Sequence, residues 1–185
     1  ASVKEEIAFA LQHEDLAGIF GKLLENGEVP LRVTHNDTKL NNIMIDLETG
    51  KGICVVDLDT VMPGLAMNDF GDAIRFGAST ALEDEKDLSK VSCDMELYEI
   101  YVKGFLESCG DKLNAREIEM LPMGAKVMTY ECGIRFLTDY LEGDHYFKID
   151  REDHNLDRCR TPFKLVADME QKWEQMQAIV KKYQK

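Results

Sequence analysis

Every stretch with the character of a β-strand in this chain falls between Leu31 and Val56, while the residues on either side repeat their apolar positions at helical spacing. Three short runs, 31–34, 43–45 and 53–56, carry the β-branched and apolar residues, and a two-glycine turn at 48–52 joins the last two. Beyond Pro63 and Gly64 no further strand is expected. So small a sheet cannot bury a core by itself, so helices must supply it. The expected class is α+β, mostly helical, with a small β-hairpin region carrying an unusually polar loop, HNDTKLNN, at residues 35–42.

The helical expectations follow from apolar spacing and end signals. Residues 3–25 form one helical stretch with a break near His13, stopped by Asn26 and Gly27. Short helical character runs from Asp69 to Ser79, and an amphipathic helix from Met95 to Cys109. Asn114 with Glu117 predicts a capped start for a long helix reaching Leu141, with Pro122 shifting that start or kinking it. Residues 83–90 read as a solvated charged loop and 143–155 as a polar one. A last helix is expected from Thr161 to Tyr183, its lysine-rich end suiting the helix dipole.

Composition narrows the partners. The 185 residues are 44% hydrophobic, enough for one substantial core, and Asp+Glu exceed Lys+Arg by 35 to 22, a formal charge of -13. That surface disfavours nucleic acid and anionic membranes as partners. No apolar run approaches the roughly 20 residues a membrane span needs. The charged amino-terminal stretch has no apolar signal core, and Cys54, Cys93, Cys109, Cys132 and Cys159 show no CxxC pairing. Free thiols in a reducing cytoplasm are the expectation, and the four dispersed histidines form no HExxH metal motif. The chain opens with Ala directly into a helical pattern, as a piece of a longer protein would.

The polar loop carries the chemistry. His35, Asp37 and Asn42 stand as H-x-D-x-x-x-x-N between two strands, the spacing of a kinase catalytic loop. The aspartate can accept the proton of a substrate hydroxyl, and the asparagine amide oxygen can ligate Mg²⁺ beside it. Asp57 ends the following strand, with Asp59 two residues on, where such sites place a metal-binding carboxylate. Lys39 could set a positive charge against a transferring phosphoryl group. The plainer readings stay open: Asp37 and Asn42 as turn formers, Lys39 as a surface lysine, Asp59 as a brace of its turn or an outer-shell group. His35 reads as a packed scaffold bonded to backbone carbonyls. DFG at 69–71 is set aside as a metal motif because it opens a helix and Asp57 already holds that position; Asp69 would cap the helix or brace the loop from behind.

Together, HNDTKLNN, VVDLDTVMPG and NDFGDAIRF resemble the aminoglycoside-phosphotransferase-like kinase superfamily, and more narrowly the N-acetylhexosamine 1-kinases. The likeness runs from about Leu31 to Phe147, and departs from the wider superfamily at Asn36, where most members have glycine. It implies a protein-kinase-like carboxy-terminal lobe, with Asp37 as base and Asn42 and Asp57 holding Mg²⁺ against the phosphates of ATP. From GIRFLTDYLEGDHYF it implies that Arg135 and Tyr146 contribute to a hexosamine pocket. The glycine-rich hairpin and strand lysine of a nucleotide lobe are not found before Leu31, so the 185 residues are expected to be the carboxy-terminal lobe alone and to phosphorylate poorly or not at all without the missing amino-terminal one. Two rivals remain: an aminoglycoside, choline or homoserine kinase lobe, and a non-catalytic, pseudokinase-like binding domain.

Overall fold

The first helical stretch does break at His13 in the computed structural model, which describes residues 3–184. Helix α1 (Lys4–Gln12) gives way to a 3₁₀ turn at Glu14–Gly18 and then to α2 (Ile19–Glu25). The His13 ring turns back onto the Phe9 carbonyl at 2.8 Å. Gly27, at φ 72°, closes α2 in the left-handed conformation that glycine adopts without strain.

Four strands follow, one more than expected: β1 (Arg32–Thr34), β2 (Ile43–Ile45), β3 (Gly52–Val55) and β4 (Met62–Gly64). β2 and β3 form the antiparallel hairpin, Ile43 opposite Val55. β1 does not join them. It pairs with β4, Arg32 opposite Gly64 and Thr34 opposite Met62, in a separate two-stranded sheet. Pro63 argues against a strand in sequence, yet a two-stranded ribbon leaves each strand one unpaired edge where a missing N–H costs nothing. Gly64 is required there, because a Cβ would lie 2.2 Å from Thr34 Oγ1. The polar loop therefore bridges two small sheets rather than sitting within one hairpin.

The helical body comprises α3 (Ala66–Gly77), α4 (Met95–Cys109), α5 (Ala115–Glu119), α6 (Leu121–Glu142), α7 (His154–Gln171) and α8 (Trp173–Tyr183). Several bounds correct the sequence expectation. α3 starts at Ala66, which places Asp69 inside its first turn instead of at its cap. Asn114 and Glu117 form the expected capping box, but the helix they start ends at Glu119, and Pro122 lies in the first turn of α6. The loop after Gly143 ends sooner than expected, since α7 begins at His154 and carries Pro162 within it. The charged loop at 83–90 is less free than its composition suggests, because Asp84 binds Arg151 and His154. Buried Glu117 also receives the Arg32 guanidinium at 2.9 and 2.7 Å, anchoring β1 to α5. The five cysteines are free thiols, and no described helix is long and apolar enough to cross a membrane.

The core centres on α3, α6 and α7. Met67, Phe70 and Ile74 of α3 are fully buried, with Leu121 and Ala125 of α6 and Met169 of α7 in the same cluster. Where α3 crosses α6, the helices meet backbone to backbone. A Cβ on Gly71 would lie 2.1 Å from the Gly124 carbonyl oxygen, and one on Gly124 would lie 2.2 Å from that of Met67. Neither obstacle is a flexible side chain. Gly71→Ala is thus expected to cost about 1–3 kcal/mol by overpacking, despite alanine's better helix propensity. Gly104→Ala, in α4 with nothing within 4 Å of the added methyl, should instead stabilise by up to about 1 kcal/mol. Urea unfolding of the two variants checks the contrast.

Candidate functional site

The loop is held from both sides. The backbone N–H groups of His35 and Asn36 donate to the two carboxylate oxygens of Asp69, each at 2.8 Å, and the Thr38 hydroxyl donates to the Asp69 carbonyl. Of its two expected roles, Asp69 thus has the bracing one. The rest of its DFG run serves packing, with Phe70 buried and Gly71 against Gly124. On the other side His35 Nε2 meets the Val56 carbonyl at 3.1 Å, and Asn36 Nδ2 donates to the Thr60 carbonyl at 2.9 Å. Asn36 sits at φ 64°, in the left-handed region. Glycine enters it freely, and asparagine is among the few other residues that do so readily, which gives a physical reason for the departure at this position.

This bracing collects three polar side chains around one oxygen. Asp37 Oδ2 accepts from Lys39 Nζ at 2.7 Å and from Asn42 Nδ2 at 2.8 Å. Asn42 Nδ2 also donates to the Asp37 carbonyl at 2.8 Å, so the Asn42 amide is turned with its nitrogen inward and its carbonyl oxygen left over. Burial alone would raise the Asp37 pKa, but hydrogen bonds from Lys39 and Asn42 and the Lys39 charge outweigh it and hold the carboxyl below its ordinary value. The Lys39 pKa is raised, first by its bond to Asp37 and further by the charges of Asp37, Asp57 and Asp72.

Val56 N–H donates to the Asn42 carbonyl at 2.9 Å, so the chain passes Asn42 immediately before Asp57. Asp57 is left-handed at φ 61° and exposed, and Asp59 is exposed in the 3₁₀ turn at Leu58–Thr60. Among the described residues, no three His, Cys, Asp or Glu side chains gather as a metal cluster. An amide oxygen with a carboxylate nonetheless fits Mg²⁺, which prefers hard oxygens and takes most of its shell from phosphate and water.

Arg135 and Tyr146 form a second group. The Arg135 guanidinium lies 5.8 Å from the Tyr146 ring centre, 5.4 Å from that of Phe147 and 3.7 Å from Glu131. With Thr138, Asp139 and Glu142 they line an open recess of about 400 Å³. A row of charges connects the two groups. Asp72 acts on Lys39 at one end, its Oδ1 takes two bonds from Arg75, and Glu131 feels Arg75, Arg135 and Asp72 at the other. Burial is the main cause of the raised Glu131 pKa. Sequence reasoning passed over Asp72 and Arg75; their only signal was an i, i+3 acid–base pair inside NDFGDAIRF.

Two outcomes test this arrangement. Asp69→Ala strands two N–H donors and should cost roughly 1–3 kcal/mol for each that stays buried, with faster amide exchange at His35 and Asn36. Lys39→Met should raise the Asp37 pKa towards the ordinary carboxylate value, as read by carboxyl NMR. The sign follows from the lowered value. The bridge stabilises fully above the unfolded-state pKa, and its contribution is lost as pH falls through the folded one.

The family model described as "Phosphotransferase enzyme family" (APH) matches residues 2–99, just over half of the chain. The matched region holds the braced loop, both small sheets and α3, and ends within α4; Arg135 and Tyr146 lie beyond it. The loop that gathers Asp37, Lys39 and Asn42 lies inside the matched region, and the protein belongs to the phosphotransferase enzyme family.

Proposed function

We propose that this chain is the acceptor-binding, catalytic lobe of a kinase that transfers the γ-phosphoryl group of ATP to a sugar hydroxyl, the anomeric hydroxyl of an N-acetylhexosamine. The observation that carries the reading is the convergence of Lys39 and Asn42 on one oxygen of Asp37. Asp37 Oδ1, which accepts from no described residue, receives the acceptor hydroxyl, aims its oxygen at the phosphorus and takes its proton as the new P–O bond forms and the bond to the β,γ-bridging oxygen breaks, releasing ADP. A carboxylate with a lowered pKa is a weak base, so it contributes mainly by orientation, as a loose phosphoryl-transfer transition state allows. The anomeric hydroxyl is the most acidic in a sugar, which suits such a base. Lys39 is placed to exchange its bond with Asp37 for one to the phosphoryl oxygens.

Asn42 through Oδ1 and Asp57 through its carboxylate would hold Mg²⁺, with Asp59 alongside; the bound ion supplies neutralisation of phosphate charge. Arg135 provides directional donors, and the exposed Tyr146 ring a face for the C–H surface of a neutral sugar. The reading also calls for a nucleotide-holding lobe as partner, and a cytoplasmic setting suits its free thiols. A cationic acceptor such as an aminoglycoside draws support from the charge of -13, but Arg135 in the recess opposes it.

With the nucleotide lobe present, Asp37→Asn should lower turnover on the order of 10²–10⁴-fold while nucleotide still binds. Undiminished turnover would remove Asp37 from the mechanism. A panel of hydroxyl acceptors should show N-acetylhexosamines preferred over cationic ones, and Arg135→Ala should raise the KM of the preferred acceptor about tenfold without moving that of ATP.

A further inference from the structure

We propose that Asp139 is a positioning residue of the acceptor recess, its buried carboxylate setting where Tyr146 stands beside Arg135. This rests on the acceptor reading given above. Asp139 lies in the last turns of α6, and the chain that leaves the helix folds back onto it. Gly143, at φ 102°, donates to the Tyr140 carbonyl at 3.3 Å, and Asp144 N–H reaches the Asp139 carbonyl at 2.8 Å. The side chain then takes the next three donors. Asp139 Oδ1 accepts from His145 N–H at 2.9 Å and Tyr146 N–H at 2.7 Å, and Oδ2 from Phe147 N–H at 2.9 Å. Asn155 Nδ2, fully buried on α7, completes Oδ2 at 2.8 Å and ties the same knot to Asp144.

Four successive N–H groups thus end on one residue. Tyr146 itself is 74% exposed while Asp139 is 3% exposed, so little packing fixes the Tyr146 side chain and its place follows from its backbone. Phe147 rests on Phe136, with ring centres 4.5 Å apart, whereas the exposed Tyr146 ring meets Phe147 in a T-shaped contact and lies 5.8 Å from the Arg135 guanidinium. Burial would push the Asp139 pKa up, yet the bonds from Phe147, Tyr146 and His145 bring it below the ordinary carboxylate value. The charge is matched entirely by donors within the fold, so Asp139 acts through the loop and not on the sugar.

The experiment titrates the 185-residue chain with N-acetylglucosamine, following the Tyr146 ring and the amides of residues 145–147 by NMR. Asp139→Asn, which turns an NH₂ towards inward-pointing donors, should weaken binding about tenfold, and so should Tyr146→Ala. The double variant should bind no more weakly than either single one, because both remove the same contact. Additive losses, or unchanged affinity in Asp139→Asn, overturn the positioning role. If Asp139→Asn does not fold, Asn155→Ala, which keeps the backbone donors, should give a smaller loss that vanishes in the Tyr146→Ala background; a loss that persists there overturns the proposal equally. A wild-type chain that binds no sugar removes the acceptor reading itself, and the positioning role with it.

Discussion

The contact on which the rest depends is the crossing of α3 and α6 at Gly71 and Gly124. With no Cβ on either side, the backbones come close enough that any larger residue would strike a carbonyl oxygen. This proximity seals Met67, Phe70 and Ile74 into the core. It also fixes the height and rotation of α3, and from α3 Asp69 reaches the N–H groups of His35 and Asn36. Asp72 and Arg75, which begin the charge row towards Arg135, ride on the same helix. A packing constraint thus becomes a constraint on the site.

The loop is braced without belonging to a sheet. Its ends enter two different two-stranded ribbons, and its interior bonds go to Asp69, Val56 and Thr60. Such a design leaves the polar side chains free of ladder duties, so Asp37, Lys39 and Asn42 can be organised by one another. The cost is local backbone strain, carried by Asn36 and Asp57 in the left-handed region. Both residue types tolerate it better than most, which joins their local conformation to the roles proposed for their neighbourhood.

At the Arg135–Tyr146 recess the logic is reversed. There a single buried carboxylate, Asp139, gathers the backbone, and an exposed aromatic ring is the result. The residues that line the recess are distinct from those of the loop, and between the two stand the Asp72–Arg75 pair and Glu131, 3.7 Å from Arg135.

By itself, the sequence determined the class of fold, the position of the loop, the residues within it and the capping box at Asn114, because each of these is written in local spacing and residue chemistry. His35 as a scaffold was legible for the same reason. The β1–β4 pairing was not, since Met62–Gly64 holds a proline and a glycine and becomes a strand only because β1 lies opposite. Likewise the last helix was expected only from Thr161, but α7 begins at His154 and carries Pro162 within it. Asp69 offered two roles, and the tertiary structure chose between them by placing it within the first turn of α3, its carboxylate against the His35 and Asn36 N–H groups. Asp139 offered none: its partners lie on the next loop and on α7, and bonds from a helix to an irregular loop leave no periodic trace in the sequence. Only the folded structure, where helix crossings set those distances, could decide them.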